Sequence, residues 1–133
     1  MDAKRIAIAE NCLKAAYDKT MAFPDIVATL IESGFEGYTV DYRRNTTTYF
    51  LPDGGSVVLE NRSSEVAVAT QFDQSGIAAQ VKWAQANPPE YSYPAFCKKV
   101  KALGCAGYMV SFSGRRILYF GRTAETHVEH FPS

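Results

Sequence analysis

Both histidines of the chain lie in one short segment near its end, residues 126–132 (THVEHFP). Imidazole and carboxylate groups are common metal ligands and proton-transfer groups, so this segment is a first candidate for chemistry. On a β-strand, His127 and Glu129 would project to one face and His130 to the other. At most two of these three groups therefore converge without help from elsewhere. We expect no metal here and interpret His127 and Glu129 as candidates for contact with a ligand on an edge strand.

Two arginine pairs form a second candidate, one in each half of the chain. They lie in RRN (43–45) and SGRR (113–116), which have the composition of turns between alternating apolar runs. The guanidinium fork fits phosphate and carboxylate groups, and an exposed tyrosine beside it would stack on a nucleobase. The candidates for such a site are Arg43, Arg44, Arg115, Arg116, Tyr49 and Tyr119. The opposing interpretation, which we favour, is that the arginines solvate two turns while the aromatic residues follow the strand alternation into the core.

Motifs for nucleophilic or phosphate chemistry are absent from the sequence. It contains no GxSxG, no GxGxxG and no P-loop, and the PDGG segment at positions 52–55 has the composition of a turn. The carboxylates of Asp41, Asp53 and Glu60 have a spacing that selects no mechanism. We therefore predict no catalytic residue and no cofactor. A small hydrolase or metal-dependent enzyme centred on the histidine segment is kept as an alternative.

The composition is that of an ordinary globular domain. The chain has 133 residues, 47% of them hydrophobic, and 14 basic groups balance 14 acidic ones. A zero net charge argues against a general nucleic-acid or membrane-surface binder, since both partners favour a positive domain. No apolar stretch approaches the roughly 18 residues that span a bilayer. The cysteines, Cys12, Cys97 and Cys105, form no CxxC pair, so we expect buried thiols in a soluble cytoplasmic protein.

The elements that would position these residues are organised by an internal repeat. Residues 23–50 align with residues 93–120 at an offset of 70 without a gap, and seven of the 28 pairs are identical. Typical residue frequencies would give about two identical pairs by chance. The identical pairs include Gly34 with Gly104, each placed where a helix would end.

Each repeat predicts the same order of elements. A proline suited to a first helical turn, helical apolar spacing and a stopping glycine indicate a helix, whose buried face in the first repeat includes Leu30 and Ile31. Alternation with a period of two then indicates three strands, and a further amphipathic helix precedes each unit. The predicted fold class is therefore α+β. Two ααβββ pseudo-repeats, at about 3–60 and 73–131, pack as a single domain (1–133) with an antiparallel sheet.

Charge differs between the halves. Residues 1–70 carry seven basic and ten acidic groups, a net charge of −3, while residues 71–133 carry seven basic and four acidic groups, a net charge of +3. Opposite signs would assist docking of one half on the other or head-to-tail self-association. Solvated faces that differ without consequence are the alternative interpretation.

The sequence resembles a family of uncharacterised bacterial and prophage-encoded proteins, catalogued as a domain of unknown function. The most specific segments are VDYRR, TTTYFLPDG, SGRRILYFGR and THVEHFP, and the resemblance extends from about residue 8 to residue 132. Some members of the family are labelled phage envelope protein. The resemblance implies a bacterial or phage source and one intact domain. It assigns no catalytic or binding residue.

Three functional expectations follow. The first is a non-enzymatic accessory protein of bacterial or prophage origin that binds a protein or small-molecule partner, on its pseudo-symmetric face or in the groove between its halves. The second is a nucleic-acid or phosphate-ligand binder that uses the hairpin arginines. The third is the small enzyme described above. Homodimerisation through exposed edge strands is a further expectation, and no membrane partner is expected.

Overall fold

The computed structural model describes residues 1–132, which form four α-helices and six β-strands. The first half contains α1 (Ala3–Asp18), α2 (Phe23–Glu32), β1 (Gly37–Asp41), β2 (Thr46–Phe50) and β3 (Ser56–Glu60). The second half contains α3 (Gln74–Ala86), α4 (Tyr93–Ala102), β4 (Cys105–Ser111), β5 (Arg116–Gly121) and β6 (Thr126–His130). The α+β class predicted from the sequence is confirmed.

All six strands form one antiparallel sheet in the order β3-β2-β1-β4-β5-β6. Each half contributes a three-stranded meander, and the halves join where β1 pairs with β4. Three strands with helices on one side are only marginally stable alone. Sharing one sheet gives both halves a common core.

The strand register repeats at the 70-residue offset. Thr39 pairs with Met109, which is its own counterpart in the second half. Every pair between β2 and β3 recurs between β5 and β6 with both residue numbers raised by 70. The pairs between β1 and β2 recur in the same way between β4 and β5. A pseudo-twofold axis therefore crosses the sheet between Thr39 and Met109.

The four helices lie on one face of the sheet, and the core fills the space between. The central strands contribute Tyr38, Val40, Tyr108 and Val110, which are between 1% and 7% exposed. Leu30, Ile77 and Val100 pack on them from α2, α3 and α4 and are fully buried. No helix within residues 1–132 has the length and hydropathy needed to cross a membrane.

The opposite face of the sheet carries no helix of the described part of the chain. Strand alternation places Val58, Met109 and Val128 on it, and these side chains are 60%, 50% and 36% exposed. The sheet is therefore covered on one side only.

One predicted core position differs from the structure. We predict Ile31 on the buried face of α2, but its side chain is 50% exposed. The face that meets the sheet is centred on Ile26, Val27 and Leu30, and Ile31 lies about 100° around the helix from Leu30. The apolar spacing predicts the correct face of α2, but the predicted buried face is one residue too wide.

A glycine in the left-handed conformation follows the last turn of α2 and of α4. Gly34 has a φ of +90° and Gly104 a φ of +92°, values that favour glycine. Their surroundings differ, however. A Cβ on Gly104 would lie 2.0 Å from the carbonyl oxygen of Gln71, whereas the nearest atom to a Cβ on Gly34 would be in the Arg5 side chain at 3.6 Å. The connector, residues 61–73, thus packs closely on the end of α4.

Candidate functional site

The two arginine pairs lie in turns at opposite ends of the central strands of the sheet. β1 ends in the turn that holds Arg43 and Arg44, and β4 ends in the turn that holds Arg115. Because β1 and β4 are antiparallel neighbours, Asp41 at the end of β1 pairs with Gly107 near the start of β4. The structure therefore does not bring the two pairs into one site.

The first turn is closed by its own carboxylate. The backbone N–H groups of Arg43 and Arg44 both donate to Oδ1 of Asp41, at 3.0 Å and 3.1 Å. The carboxylate therefore caps the turn, and both arginine residues are exposed.

The second turn uses its arginines to bind nearby carbonyl groups. The guanidinium of Arg115 donates to the carbonyl oxygen of Pro132 at 2.7 Å and lies 6.0 Å from the centre of the Phe131 ring. Arg116 donates to the carbonyl oxygen of Gly114 at 3.0 Å. These contacts hold the last described residues against the turn, which is a structural use of both side chains.

The two tyrosines proposed for stacking are part of the core. Tyr49 and Tyr119 are 3% and 4% exposed, and their rings lie 5.3 Å and 5.4 Å from those of Tyr38 and Tyr108. Burial raises the pKa of both phenols well above the ordinary value. Neither ring presents a face to a ligand at the surface.

The histidine segment forms β6, with the orientation expected from strand alternation. His127 and Glu129 are half-buried on the helix side, and His127 Nε2 lies 2.8 Å from Oε1 of Glu129. The other ring nitrogen is 3.4 Å from the side-chain nitrogen of Gln74, and the ring stacks on Tyr119. Within residues 1–132, no group of three metal-ligating side chains includes this pair. The contacts tie β6 to α3.

A pocket of about 190 Å³ lies between the two halves. One wall comes from the first half: the end of α1, the turn after β1 and the start of the connector. The other wall is α4 of the second half. Arg62, Lys98 and Lys101 line it, and no carboxylate is among its lining residues in the described part of the chain. We call this site the cationic pocket.

Lys101 is the most unusual residue of the cationic pocket. It is 4% exposed, and it is the only charged residue within residues 1–132 that is buried to this degree. No carboxylate of these residues lies within salt-bridge distance of its ammonium, whose nearest aromatic neighbour is the Tyr42 ring, 5.7 Å from nitrogen to centroid. Burial lowers the pKa of Lys101. A lysine with so little exposed surface and no carboxylate partner leaves its ammonium available to an anion in the pocket.

The opposite wall supplies an oriented guanidinium and polar groups. Arg62 donates to Asp18 at 2.7 Å, and its guanidinium lies 4.9 Å from the centre of the Tyr17 ring. Asn61 is 9% exposed, and its side-chain oxygen accepts a hydrogen bond of 2.6 Å from Thr47. The side chains of this wall are therefore held in place before any ligand arrives, which lowers the entropy cost of binding.

Apolar residues replace Lys101 and Asn61 at the corresponding place in the other half of the molecule. At the offset of 70 residues, Lys101 corresponds to Ile31 and Asn61 to Phe131. There Phe131 packs on Phe23 of α2, with ring centroids 6.2 Å apart. One of two pseudo-equivalent places is thus filled by an aromatic side chain, while the other is open and positively charged.

The cysteine of the cationic pocket is not a nucleophile at neutral pH. Cys97 is 7% exposed, and burial raises the pKa of its thiol. The hydroxyl of Tyr42 lies 3.5 Å from its sulfur. Cys12 and Cys105 are also buried free thiols, and burial raises the pKa of Cys105 to about 12. All three are protonated residues of the interior, as sequence reasoning interpreted them.

Sequence reasoning missed Lys101 as a functional candidate. The signal that points to it lies in the repeat alignment, where a lysine in the second half occupies the position of an apolar residue in the first. The counterpart of Lys101 is Ile31, which lies beside the buried face of α2. A charged residue aligned with an apolar one is a mismatch that the repeat alignment reveals. Asn61 opposite Phe131 is a second mismatch of this kind. The two residues line the same pocket.

No protein-family model matches the chain, and no curated protein matches it either. The resemblance to the prophage-encoded family therefore stays a prediction. The hairpin arginines as a nucleic-acid site stay a prediction as well.

Proposed function

We propose that this protein is a binding protein for a small anion, held in the cationic pocket between its halves. The observation that carries the proposal is Lys101, a lysine only 4% exposed whose ammonium has no carboxylate within salt-bridge distance among residues 1–132. The proposal keeps the expectation of a non-enzymatic ligand binder. It moves the site from the hairpin arginines and the histidine segment to the groove between the halves.

The size and lining of the pocket support a narrow class of ligand. A volume of about 190 Å³ is below the roughly 300 Å³ at which pockets for drug-sized ligands begin. Lys98 and Lys101 on one wall and Arg62 on the other provide charged donors on two sides of the cavity. Guanidinium and ammonium groups bind phosphate and carboxylate oxygens through short charge-assisted hydrogen bonds. The expected ligand is a phosphate group or a short carboxylic acid, with the tyrosine rings beside its apolar part.

Calorimetric titration of the purified protein with inorganic phosphate, and separately with succinate, tests the proposal. We expect at least one probe to bind with one site per chain at low salt. Lys101→Met keeps an unbranched side chain, one atom shorter, and removes the charge. It should weaken binding about tenfold to a hundredfold, since hydrogen bonds to charged groups contribute about 1.5–3 kcal/mol.

The matched control is Lys4→Met, at an exposed lysine of α1 outside the pocket. This variant should bind the probe as the parent protein does. The proposal is wrong if neither probe binds at millimolar concentration, or if Lys101→Met binds with unchanged affinity.

A further inference from the structure

Asn61 is a buried side chain that brings an unused donor to the cationic pocket. It is 9% exposed, and its Oδ1 accepts the 2.6 Å hydrogen bond from the hydroxyl of Thr47. Its backbone N–H and C=O are both bonded to Asn45. Its Nδ2 donates to no acceptor within residues 1–132, and no fully buried side-chain nitrogen of these residues lacks a partner, so Nδ2 reaches solvent. Nδ2 is therefore the polar group that Asn61 offers to the pocket it lines.

Thr47 determines which end of this amide faces a ligand. A side-chain amide accepts at its oxygen and donates at its nitrogen, so its orientation decides whether the pocket meets an acceptor or a donor. Thr47 is 1% exposed on β2, and its hydroxyl holds the oxygen end of Asn61. At the offset of 70 residues, Ile117 and Phe131 replace Thr47 and Asn61. The oriented amide is therefore present only in the half of the molecule that forms this wall of the cationic pocket.

Every charged side chain that lines the cationic pocket is also a donor. These side chains are Arg62, Lys98 and Lys101, and no carboxylate is among the lining residues in the described part of the chain. Guanidinium and ammonium groups donate hydrogen bonds and do not accept them. The side-chain oxygens left as acceptors are neutral hydroxyl groups and the amide oxygen of Asn45, whose Nδ2 donates to the connector.

A lining of this kind discriminates between anions by the hydrogen atoms that they carry. The oxygens of sulfate and of a carboxylate only accept hydrogen bonds. Inorganic phosphate keeps an O–H group at neutral pH, and that group needs an acceptor. A neutral oxygen accepts a hydrogen bond about half as strong as one to an ionised oxygen. The surrounding positive charges also favour the fully deprotonated form of any acid.

We infer that the cationic pocket selects an oxyanion whose oxygens carry no hydrogen, a carboxylate or a sulfate, over inorganic phosphate. Asn61 is the neutral donor of this site, and Thr47 is its positioning residue. The inference rests on the proposed function and narrows the class of its ligand. A phosphate ester fits in the same way as its dianion, which forms above about pH 6.

Calorimetric titration of the full chain with sulfate and with inorganic phosphate, near pH 8 and at equal ionic strength, tests the inference. Both probes are then tetrahedral dianions that differ by one O–H group. Sulfate should bind about tenfold more tightly, the equivalent of one hydrogen bond to a charged group. Equal affinities would overturn the inference and leave the proposed function intact. Absence of binding by sulfate, phosphate and succinate would overturn both.

Asn61→Asp should reverse the preference. The new carboxylate still accepts the hydrogen bond from Thr47, and its second oxygen presents an ionised acceptor to the pocket. Sulfate should bind about tenfold more weakly or worse, while phosphate gains an acceptor for its O–H group. Ser63→Asp is the matched control, because Ser63 is exposed and lines the same pocket. Its charge should weaken both probes alike and keep their ratio. A preference for sulfate that survives Asn61→Asp would contradict the role of Asn61.

Thr47→Val tests the positioning of Asn61. The substitution keeps the shape of the side chain and removes the hydroxyl that holds Oδ1, so the amide is free to turn its oxygen toward the pocket. The ratio of sulfate to phosphate affinity should fall toward one, a change that a loss of stability alone would not produce. Cooperative thermal unfolding of each variant is the check on folding. An unchanged ratio in a folded Thr47→Val protein would overturn the role of Thr47.

Discussion

The lysine of the cationic pocket opposes function to stability at the scale of a single residue. Lys101 is 4% exposed, and its ammonium has no carboxylate within salt-bridge distance in the described chain. Partial removal of a charge from water without a carboxylate partner is unfavourable, and burial lowers the pKa of this group. Residues that reduce stability in this way are typical of binding sites.

Lys101→Met should therefore raise the thermal stability of the protein while weakening anion binding. We expect a gain of about 1–2 kcal/mol, which corresponds to a rise in Tm of roughly 3–6 °C for a domain of this size. Differential scanning calorimetry without added anion measures it. Lys4→Met should change stability by less than about 0.5 kcal/mol. A lower Tm for Lys101→Met would mean that the ammonium has a stabilising partner.

At the scale of elements, the two ααβββ units end their second helices with the same glycine but in different surroundings. Gly34 and Gly104 share the left-handed conformation. Only Gly104 has the carbonyl oxygen of Gln71 in the space where a side chain would begin. The helix end in the second half is therefore also the point where the connector is held.

A comparison of alanine substitutions at Gly34 and Gly104 measures backbone strain and steric contact separately. Gly34→Ala should cost about 1–2 kcal/mol, the penalty of a left-handed L-residue. Gly104→Ala adds the displacement of the connector, and we expect about 1–3 kcal/mol more by analogy with overpacked cores. Urea unfolding of the two variants gives both values. Equal costs would show that the connector moves aside without penalty.

The elements themselves were predictable because each is specified locally. The change of period from helical to alternating, the prolines at helix starts and the glycines at helix ends all act within a few residues. The cationic pocket was not predictable in the same way, since Asn61 and Lys101 are 40 residues apart and converge only through packing. Likewise, the burial of Tyr49 follows from alternation, whereas the exposure of Ile31 depends on how far the core extends.

At the scale of the whole molecule, the interior is rich in phenol groups. Burial raises the pKa of all eight tyrosines, and raises those of Tyr17 and Tyr91 to about 12. Five of them are less than 9% exposed: Tyr38, Tyr42, Tyr49, Tyr108 and Tyr119. In the folded protein their hydroxyl groups therefore stay protonated at pH values at which tyrosines of the unfolded chain ionise.

This distribution predicts a steep loss of stability in alkali. The unfolded chain releases its tyrosine protons near pH 10 and the folded chain does not, so stability is complete below pH 10 and falls as pH rises toward the folded pKa values. Each of the five buried tyrosines contributes up to about 1.4 kcal/mol per pH unit. The contribution of Lys101 to the pH dependence of stability has the opposite sign, because burial lowers its pKa in the folded protein. It is one group, however, against five buried tyrosines.

Urea midpoints near pH 8 and near pH 11 test the prediction, with tyrosinate absorbance followed in parallel. We expect the absorbance to rise together with unfolding rather than before it. Equal midpoints at the two pH values would contradict it.

The pseudo-twofold axis makes the two outer strands, β3 and β6, geometrically equivalent, and each has a strand neighbour on one side only within residues 1–132. If β3 of one molecule paired with β6 of the next, every addition would cover one outer strand and expose another, and the chain of molecules would grow without limit. Glu60 and His130 occupy the same position at the end of these two strands, where charged and polar groups discourage such growth. The duplication that created a shared core thus also gave the sheet two equivalent edges, from either of which a fibre could grow.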